Sequence, residues 1–306
     1  MPQPQLNDSD FEPIQYSEYD AEKIVGRSTS FWKDAWRRFR KNKLALIGVV
    51  IIILLGIMSF IGSPISGHNY SDNDLINSNQ SPSAEHWFGT DNLGRDIFSR
   101  TWYGAKISLF IGLMAAFIDL IIGVIWGATA GFFGGKIDEY MMRIADILTA
   151  VPYLLVVILL MVIMPKGLWT LIIAMTITGW INMARIVRGQ VMQLKSEEYV
   201  IASRSLGAKK TRLMFRHLVP NTLGPILVTL TLTIPTAIFT EAFLSYLGLG
   251  VPAPLASWGT MSSDALSFLK YEPYQLFFPA FFICLTMLAF NVIGDGMSDA
   301  LDPKER

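Results

Sequence analysis

The sequence predicts an all-α, polytopic membrane protein with six transmembrane helices. It is too apolar for a typical soluble protein, because 52% of its 306 residues are apolar, only 16% are charged, and its mean hydropathy is +0.40. A helix needs about 20 apolar residues to cross the hydrocarbon core of a bilayer, since each residue advances it by about 1.5 Å. Six stretches satisfy this requirement: residues 44–62, 107–130, 145–164, 168–184, 222–247 and 276–296.

The positions of lysine and arginine predict which side of the membrane each loop faces. Basic residues are retained on the cytoplasmic side of transmembrane helices. Those that precede the first span are Lys33, Arg37, Arg38, Arg40, Lys41 and Lys43. Those in the loop predicted after the fourth span are Arg185, Arg188, Lys195, Lys209, Lys210, Arg212 and Arg216. We therefore expect both termini and this loop in the cytoplasm, and residues 63–106 outside the cell.

Residues 1–43 are predicted to form a cytoplasmic leader that ends in a helix at the membrane surface. The part before Ser28 is polar and acidic, as in a solvated tail, and no signal-peptide cleavage site follows the first apolar run. Trp32, Trp36 and Phe39 recur at helical spacing opposite basic residues. Two interpretations remain open, namely a surface anchor or a helix that cradles a partner subunit.

Small and helix-bending residues within the spans predict close packing and kinks. Glycine recurs at every fourth position of the second span, which lets a neighbouring helix approach at backbone distance. These positions are Gly123, Gly127, Gly131 and Gly135. Prolines, which can kink membrane helices, occur in three other spans. They are Pro152, Pro225, Pro235 and Pro279.

The motifs of common enzymes and cofactor sites are missing, so we expect a non-catalytic chain without a bound cofactor. The stretch “AGFFGGKI” has Ala130 and Ile137 where a phosphate-binding loop requires glycine and a hydroxyl residue. The histidines lie in two loops without metal-ligand spacing: His68, His86 and His217. Because the formal net charge is zero, no basic field indicates nucleic-acid binding.

Two acidic residues lie within predicted spans, where a charge is costly and therefore informative. Asp119 lies near the middle of the second span. It either lines a translocation pathway and meets a substrate cation, or bonds to a polar side chain of a neighbouring helix. Glu241 lies near the outer end of the fifth span, where we expect a structural role and a partner in water or an adjacent loop.

A polar stretch between the fourth and fifth spans, “EYVIASRSLGAKKTRLMFRHLVPN”, is predicted to form two short helices hinged at Gly207. We call residues 198–221 the elbow segment. Acidic residues at its start favour a helix N-terminus, and Pro220 is expected to end the second helix. In that second helix Leu213, Met214 and Leu218 share one face, and basic residues occupy the other.

The elbow segment resembles the coupling loop of permease subunits of ATP-binding-cassette importers. In the peptide-type branch this loop resembles E-Y-V-x-A-A-R-x-x-G-A, with a proline further along the chain. The matching positions are Glu198, Tyr199, Val200, Ala202, Arg204, Gly207, Ala208 and Pro220. Ser203 replaces the second alanine, and Ile201 stands where many such permeases have an acidic residue.

Two further stretches resemble the dipeptide, oligopeptide and nickel branch of the same family. They are “HWFGTDNLGRDIFSRTWYGAKISL” at residues 86–109 and “EAFLSYLGLGVPAPLASWGTM” at residues 241–261. The likeness extends in order over residues 31–303. The chain is therefore identified as a member of this branch, most similar to the second permease subunit (C subunit) of oligopeptide importers.

This resemblance implies the ABC type I importer permease fold, in which one N-terminal helix precedes a five-helix core. Residues 44–106 would contain the first transmembrane helix and an external loop. Residues 107–306 would form the permease core, with a cytoplasmic coupling loop at residues 186–221. The implied function is import of oligopeptides across a bacterial cell membrane, with dipeptides or nickel chelates as alternative cargoes.

The resemblance also implies partners. A second homologous permease would complete the pathway, two cytoplasmic ATPase subunits would bind ATP and Mg, and an extracellular binding protein would deliver peptide. The expected ATPase-docking residues are Glu198, Tyr199, Ala202, Ser203, Arg204, Gly207, Ala208 and Pro220. A stand-alone ion-driven carrier, the rival class, would need several ionisable groups at the membrane midplane, where Asp119 is the one candidate.

Overall fold

A computed structural model describes residues 31–301 of the protein. The predicted acidic leader and the C-terminal “DPKER” lie outside the described residues. Within them the chain is helical, apart from loops and one isolated bridge between Thr90 and Asp96, which confirms the all-α class. The helices are α1 (Phe31–Phe39), α2 (Lys43–Ser66), α3 (Ile97–Phe133), α4 (Gly135–Ala150), α5 (Tyr153–Ile163), α6 (Leu168–Leu194), α7 (Glu198–Ser205), α8 (Lys210–Arg212), α9 (Val219–Asn221), α10 (Leu223–Tyr246), α11 (Trp258–Ala265) and α12 (Tyr274–Leu301).

Five of the described helices are long and apolar enough to cross a membrane, namely α2, α3, α6, α10 and α12. The third span predicted at residues 145–164 is sharply bent at Pro152, one of the prolines expected to kink the spans. Helices α4 and α5 meet there at a bend of 82°, so six spans are reached only if this bent pair counts as one. Pro152 lacks an N–H and disfavours the helical conformation of the residue before it, and Val151 is accordingly extended at ψ 128°.

Two of the long helices extend well beyond their predicted ends. Helix α3 begins at Ile97, where the side chain of Asp96 caps it by accepting a hydrogen bond from Ser99 N at 2.7 Å. Arg100 is therefore a buried helical residue and not part of an external loop. Likewise α6 continues to Leu194 and includes basic residues expected in the following loop. Hydropathy detects only the apolar part of a helix, whereas its backbone hydrogen bonds continue through polar residues.

Helix α3 packs along α6 through the predicted glycine stripe. A methyl group at Gly127 would lie 3.0 Å from the backbone of Arg188, and one at Gly131 would lie 2.7 Å from the carbonyl oxygen of Arg188. Gly123 meets Met183 and Trp180 in the same manner. The packing prediction is confirmed at these positions. Gly135 is different, because it begins α4 and a methyl group there would contact nothing within 4 Å.

The remaining spans, α2, α10 and α12, also contact α3. Helix α2 lies against α3 and α12, and a side chain at Gly62 would collide with Trp102 of α3. Helix α10 packs against α3 and α12, and α1 packs on α12. In α1, Ala35 and Phe39 are buried while Trp32 and Trp36 are exposed. A helix at this position is thus confirmed, and its role as an anchor or a partner-cradling helix stays a prediction.

Candidate functional site

The elbow segment consists of two short helical parts joined at a turn. Helix α7 begins at Glu198, as predicted, and the chain turns at Gly207, whose φ of 80° lies in the left-handed region that favours glycine. The second part does not end at Pro220 as expected but continues to Asn221. A π-helical turn, Leu213–Leu218, ends two residues before this proline, and its wider backbone accommodates a ring that would crowd an ordinary α-helical turn.

One face of the elbow segment is buried against the ends of the long helices. Burial of Leu213, Met214 and Leu218 confirms the apolar face that the sequence predicts for the second helix, and Val200 of α7 is buried with them. They pack in one apolar cluster with residues from α3, α6 and α10: Ala128, Met183, Val187, Val191 and Ile226. Asn221 closes the segment, because its amide donates to His217 O at 2.6 Å and to Tyr199 Oη at 3.3 Å. The segment is therefore fixed to three spans at once.

The opposite face of the elbow segment is exposed. Of the predicted docking residues, the exposed ones are Glu198, Tyr199, Ala202, Arg204, Gly207 and Pro220, and the half-buried ones are Ser203 and Ala208. Partial burial raises the pKa of Tyr199, helped by Glu197, so its hydroxyl is protonated at neutral pH. Leu206, a residue that the family pattern leaves unspecified, is 89% exposed at the tip of the turn. Its exposure could have been predicted from its position directly before the glycine at which the chain turns.

Ion pairs hold α4 against α6 on the same side of the molecule as the elbow segment. The guanidinium of Arg188 pairs with both oxygens of Asp138, with 2.6 Å between Nη2 and Oδ2. A second, more exposed pair joins Arg185 to Asp146 at 2.9 Å. Both arginines were predicted to lie in a loop as topology signals only. Their carboxylate partners across 39 and 50 residues could not be read from the sequence.

Asp119 lies in a cavity of about 460 Å³ between α3, α5, α6 and α10. The polar residues that line it are Asp119, Tyr153, Thr178, Asn182, Thr229, Thr233, Thr236 and Thr240. The Asp119 side chain is buried, and its Oδ1 accepts no hydrogen bond from any described residue. The neighbouring polar side chains therefore do not supply that oxygen with the partner that the packing interpretation expected.

Glu241 is fully buried and lies outside the residues that line this cavity. Its Oε1 accepts hydrogen bonds from Ser245 at 2.8 Å and from Ser257 at 2.6 Å, and its Oε2 accepts one from Ser108 at 3.3 Å. Ser257 belongs to the loop after α10, so an adjacent loop does supply a partner. These bonds are the ones that a structural role requires.

His68 and His86, which the sequence assigns to one predicted loop without metal-ligand spacing, lie together beside the start of α3. The rings of His68 and His86 are 4.5 Å apart between centroids, and His86 Nδ1 lies 2.9 Å from Asp96 Oδ1. Each of the three residues offers a potential metal-ligand atom within 4.8 Å of the others. Asp96 already uses both oxygens in hydrogen bonds, to His86 and to Ser99 N, which joins the loop between α2 and α3 to the start of α3.

Comparison with known proteins places most of this chain within one family. Residues 120–306 match the model for the binding-protein-dependent transport system inner membrane component, and residues 30–82 match the N-terminal TM domain of oligopeptide transport permease C. The chain is 67% identical to the oligopeptide transport system permease protein OppC of Bacillus subtilis, over 97% of each chain. It is 56% identical to the dipeptide transport system permease protein DppC of the same organism, over 99% of this chain and 95% of that protein.

More distant relatives show the same pattern. OppC of Escherichia coli K12 is 39% identical over 94% of this chain and 95% of that protein. Among solved structures, a chain of the MetNI methionine ABC transporter in an inward-facing conformation superposes with a TM-score of 0.55. That match has 17% identity and covers 65% of this chain and 94% of the other. The fold is therefore shared with a chain of an ABC transporter.

Proposed function

The chain belongs to the family of binding-protein-dependent transport system inner membrane components, and from this membership we propose that it is a permease subunit of an ATP-driven oligopeptide importer. The observation that carries the proposal is the 67% identity to OppC, which extends over 97% of both chains. Dipeptide import is the second candidate, because identity to DppC is 56% at similar coverage. In either case the chain supplies half of a pathway through the cell membrane.

The importer that we propose contains further subunits. A second, homologous permease completes the pathway, and an extracellular peptide-binding protein delivers the cargo. Two cytoplasmic ATPase subunits bind ATP and Mg and hydrolyse the ATP, and we propose that this chain takes part in transport as a non-catalytic subunit. The N-terminus and the elbow segment lie in the cytoplasm, where the basic residues around them favour retention.

The elbow segment is proposed to seat in an ATPase subunit. Its exposed side offers Tyr199, Ile201 and Leu206, and burying a leucine side chain contributes about 1.5–3 kcal/mol. Its other side packs on α3, α6 and α10. A motor can shift a transporter between two states only through contacts that differ between them. A surface that is exposed to the motor and fixed to three spans supports that role.

Reconstitution of the complete complex tests the proposal. We expect the two permeases, the two ATPases and the binding protein to copurify, and to take up oligopeptides into liposomes only when ATP is hydrolysed. Competition between dipeptides and longer peptides then assigns the cargo. The proposal fails if this chain transports peptide alone, if it hydrolyses ATP alone, or if the purified complex lacks ATPase subunits.

A further inference from the structure

We propose that Asp119 and the oxygen atoms around it form a subsite that binds the ammonium group of a peptide during its passage through the membrane. This inference rests on the proposed function and specifies what the cavity between α3, α5, α6 and α10 recognises. The group in question is the protonated amine at the N-terminus of the peptide.

The first observation is a carboxylate that lacks a partner. Asp119 is 6% exposed, yet its Oδ1 accepts no hydrogen bond from any described residue. Buried polar groups in native proteins are nearly always hydrogen-bonded, and a buried charge is paired. No lysine, arginine or histidine occurs among the described residues that line the cavity. The cavity therefore contains one acid and no basic residue to balance it.

Gly179 keeps this carboxylate uncovered. The backbone of Gly179 lies so close to Asp119 that a methyl group on it would be 2.8 Å from Oδ1 and 2.9 Å from Cγ. Any larger residue would push the carboxylate away or cover it. The residue type at position 179 thus leaves the acid open to the cavity.

A second oxygen without a partner lies in the same cavity. The Oη atom of Tyr153 is buried and makes no hydrogen bond to a described residue. Tyr153 is the first residue of α5, which begins at the sharp bend after α4. A phenolic oxygen can accept a hydrogen bond as well as donate one. A ligand with several N–H donors would satisfy both Asp119 and Tyr153.

Threonines of α10 line another wall of the cavity, and they present acceptor atoms. Each hydroxyl donates to the carbonyl oxygen four residues earlier in the helix, at 2.8–2.9 Å. The threonines are Thr229, Thr233, Thr236 and Thr240. Because the hydroxyl hydrogen is used within the helix, the lone pairs of the oxygen remain for a ligand. This wall suits N–H donors and does not suit a carboxylate.

These features together favour a cation over an anion, and an ammonium in particular. An ammonium group carries three N–H donors, which matches a carboxylate, a phenol and a hydroxyl oxygen. The volume of about 460 Å³ lies within the usual range of small-molecule sites, about 300–1,000 Å³. Peptides of every sequence share the N-terminal ammonium and the backbone N–H groups. Asn182 adds an amide that can donate, and the acceptor atoms of Asp119, Tyr153 and the α10 threonines can therefore serve cargo irrespective of its side chains.

The test compares two cargoes in the reconstituted complex, with the same binding protein at saturating peptide concentration. One is a tripeptide with a free amino group, and the other is its desamino analogue, in which hydrogen replaces the ammonium. We expect Asp119→Asn to lower uptake of the free tripeptide about tenfold and to leave uptake of the analogue within about twofold. Tyr153→Phe should also lower uptake of the free tripeptide more than uptake of the analogue, but by a smaller factor than Asp119→Asn does. Equal losses for both cargoes, or no loss for either, would overturn the proposal.

A matched control and a direct binding measurement complete the test. Asp295→Asn removes a carboxylate from an exposed position in α12 and should change neither uptake rate. Without the binding protein, the free tripeptide at millimolar concentration should raise the Tm of the purified wild-type complex. The analogue should not raise it, and Asp119→Asn should abolish the shift. An unshifted wild-type Tm also contradicts the subsite. If the wild-type complex carries neither cargo although it hydrolyses ATP, the proposed function itself fails.

Discussion

Ser257 donates a hydrogen bond of 2.6 Å to the fully buried carboxylate of Glu241. The same serine is the N-cap of α11, where its hydroxyl also accepts from Thr260 N in a capping box. Ser108 of α3 donates to the other carboxylate oxygen and accepts from Trp258 N at 3.0 Å. Three helices therefore meet at one side chain.

Replacing Glu241 should destabilise the permease strongly. We expect Glu241→Ala to leave buried serine hydroxyls without an acceptor and to lower the free energy of unfolding by about 1–3 kcal/mol for each one. Glu241→Gln should be milder, because an amide oxygen still accepts from Ser245 and Ser257. Thermal unfolding of the purified complex measures both. Equal Tm values for the alanine variant and the wild type would show that the network contributes nothing.

A side chain at Gly127 should separate α3 from α6. Gly127→Leu would press on the backbone of Ala184 and Arg188, and we expect it to destabilise the protein by about 1–3 kcal/mol through overpacking. The control is Gly189→Ala in α6, where a methyl group contacts nothing within 4 Å. Helix propensity predicts a gain of up to about 1 kcal/mol there. Size-exclusion profiles and Tm values in detergent distinguish the two variants.

An acidic residue at Gly207 should uncouple the motor from the pathway. Gly207→Asp places a charge in the proposed docking surface, where a methyl group at this position meets only open space within this chain. We expect normal membrane insertion but loss of peptide-stimulated ATPase activity and of uptake. Gly248→Asp is the control, because Gly248 has a similar φ of 78° and equally open surroundings at the far end of α10. Normal uptake by the Gly207 variant would contradict the docking proposal.

The pair of Arg188 and Asp138 should contribute to stability more than the exposed pair beside it. The Arg188 pair is two-pronged and its carboxylate is 11% exposed, so Asp138→Asn should lower the free energy of unfolding by about 1.5–3 kcal/mol. Asp146→Asn breaks the exposed pair with Arg185 and should lower it by about 0–1 kcal/mol. Limited proteolysis of α4, together with Tm, measures the difference. Exchange of both residues, Asp138→Arg with Arg188→Asp, should recover part of the loss.

The sequence predicts the elements of this fold better than it predicts their ends. Long apolar runs and the small-residue period of Gly123, Gly127 and Gly131 carry strong local signals, and both proved correct. The third span bends where Pro152 indicates a kink, but hydropathy averages across Val151 and Pro152 and does not predict the angle of 82°. The elbow segment was predictable because its signal is local. The amphipathic spacing of Leu213 and Leu218 lies within one helix, as does the spacing of the glycines.

Contacts between distant parts of the chain were not predictable in this way. Asp119 was a candidate from its depth in one span, but the choice of Tyr153 and the α10 threonines as its neighbours depends on how four helices rotate against each other. His68 and His86 likewise come together only when the loop between α2 and α3 folds over the start of α3. Periodicity within a helix fixes which face is apolar, and it leaves the partner of that face undetermined.

Helix α3 has 37 residues and is therefore about 55 Å long, nearly twice the thickness of the hydrocarbon core of about 30 Å. At its start Asp96 caps the helix and contacts His86 of the α2–α3 loop, and near its other end Ala128 joins the apolar cluster of the elbow segment. A tilt of such a continuous helix moves its two ends in opposite directions. Helix α3 therefore links the elbow segment mechanically to the opposite membrane face without a break among its own residues.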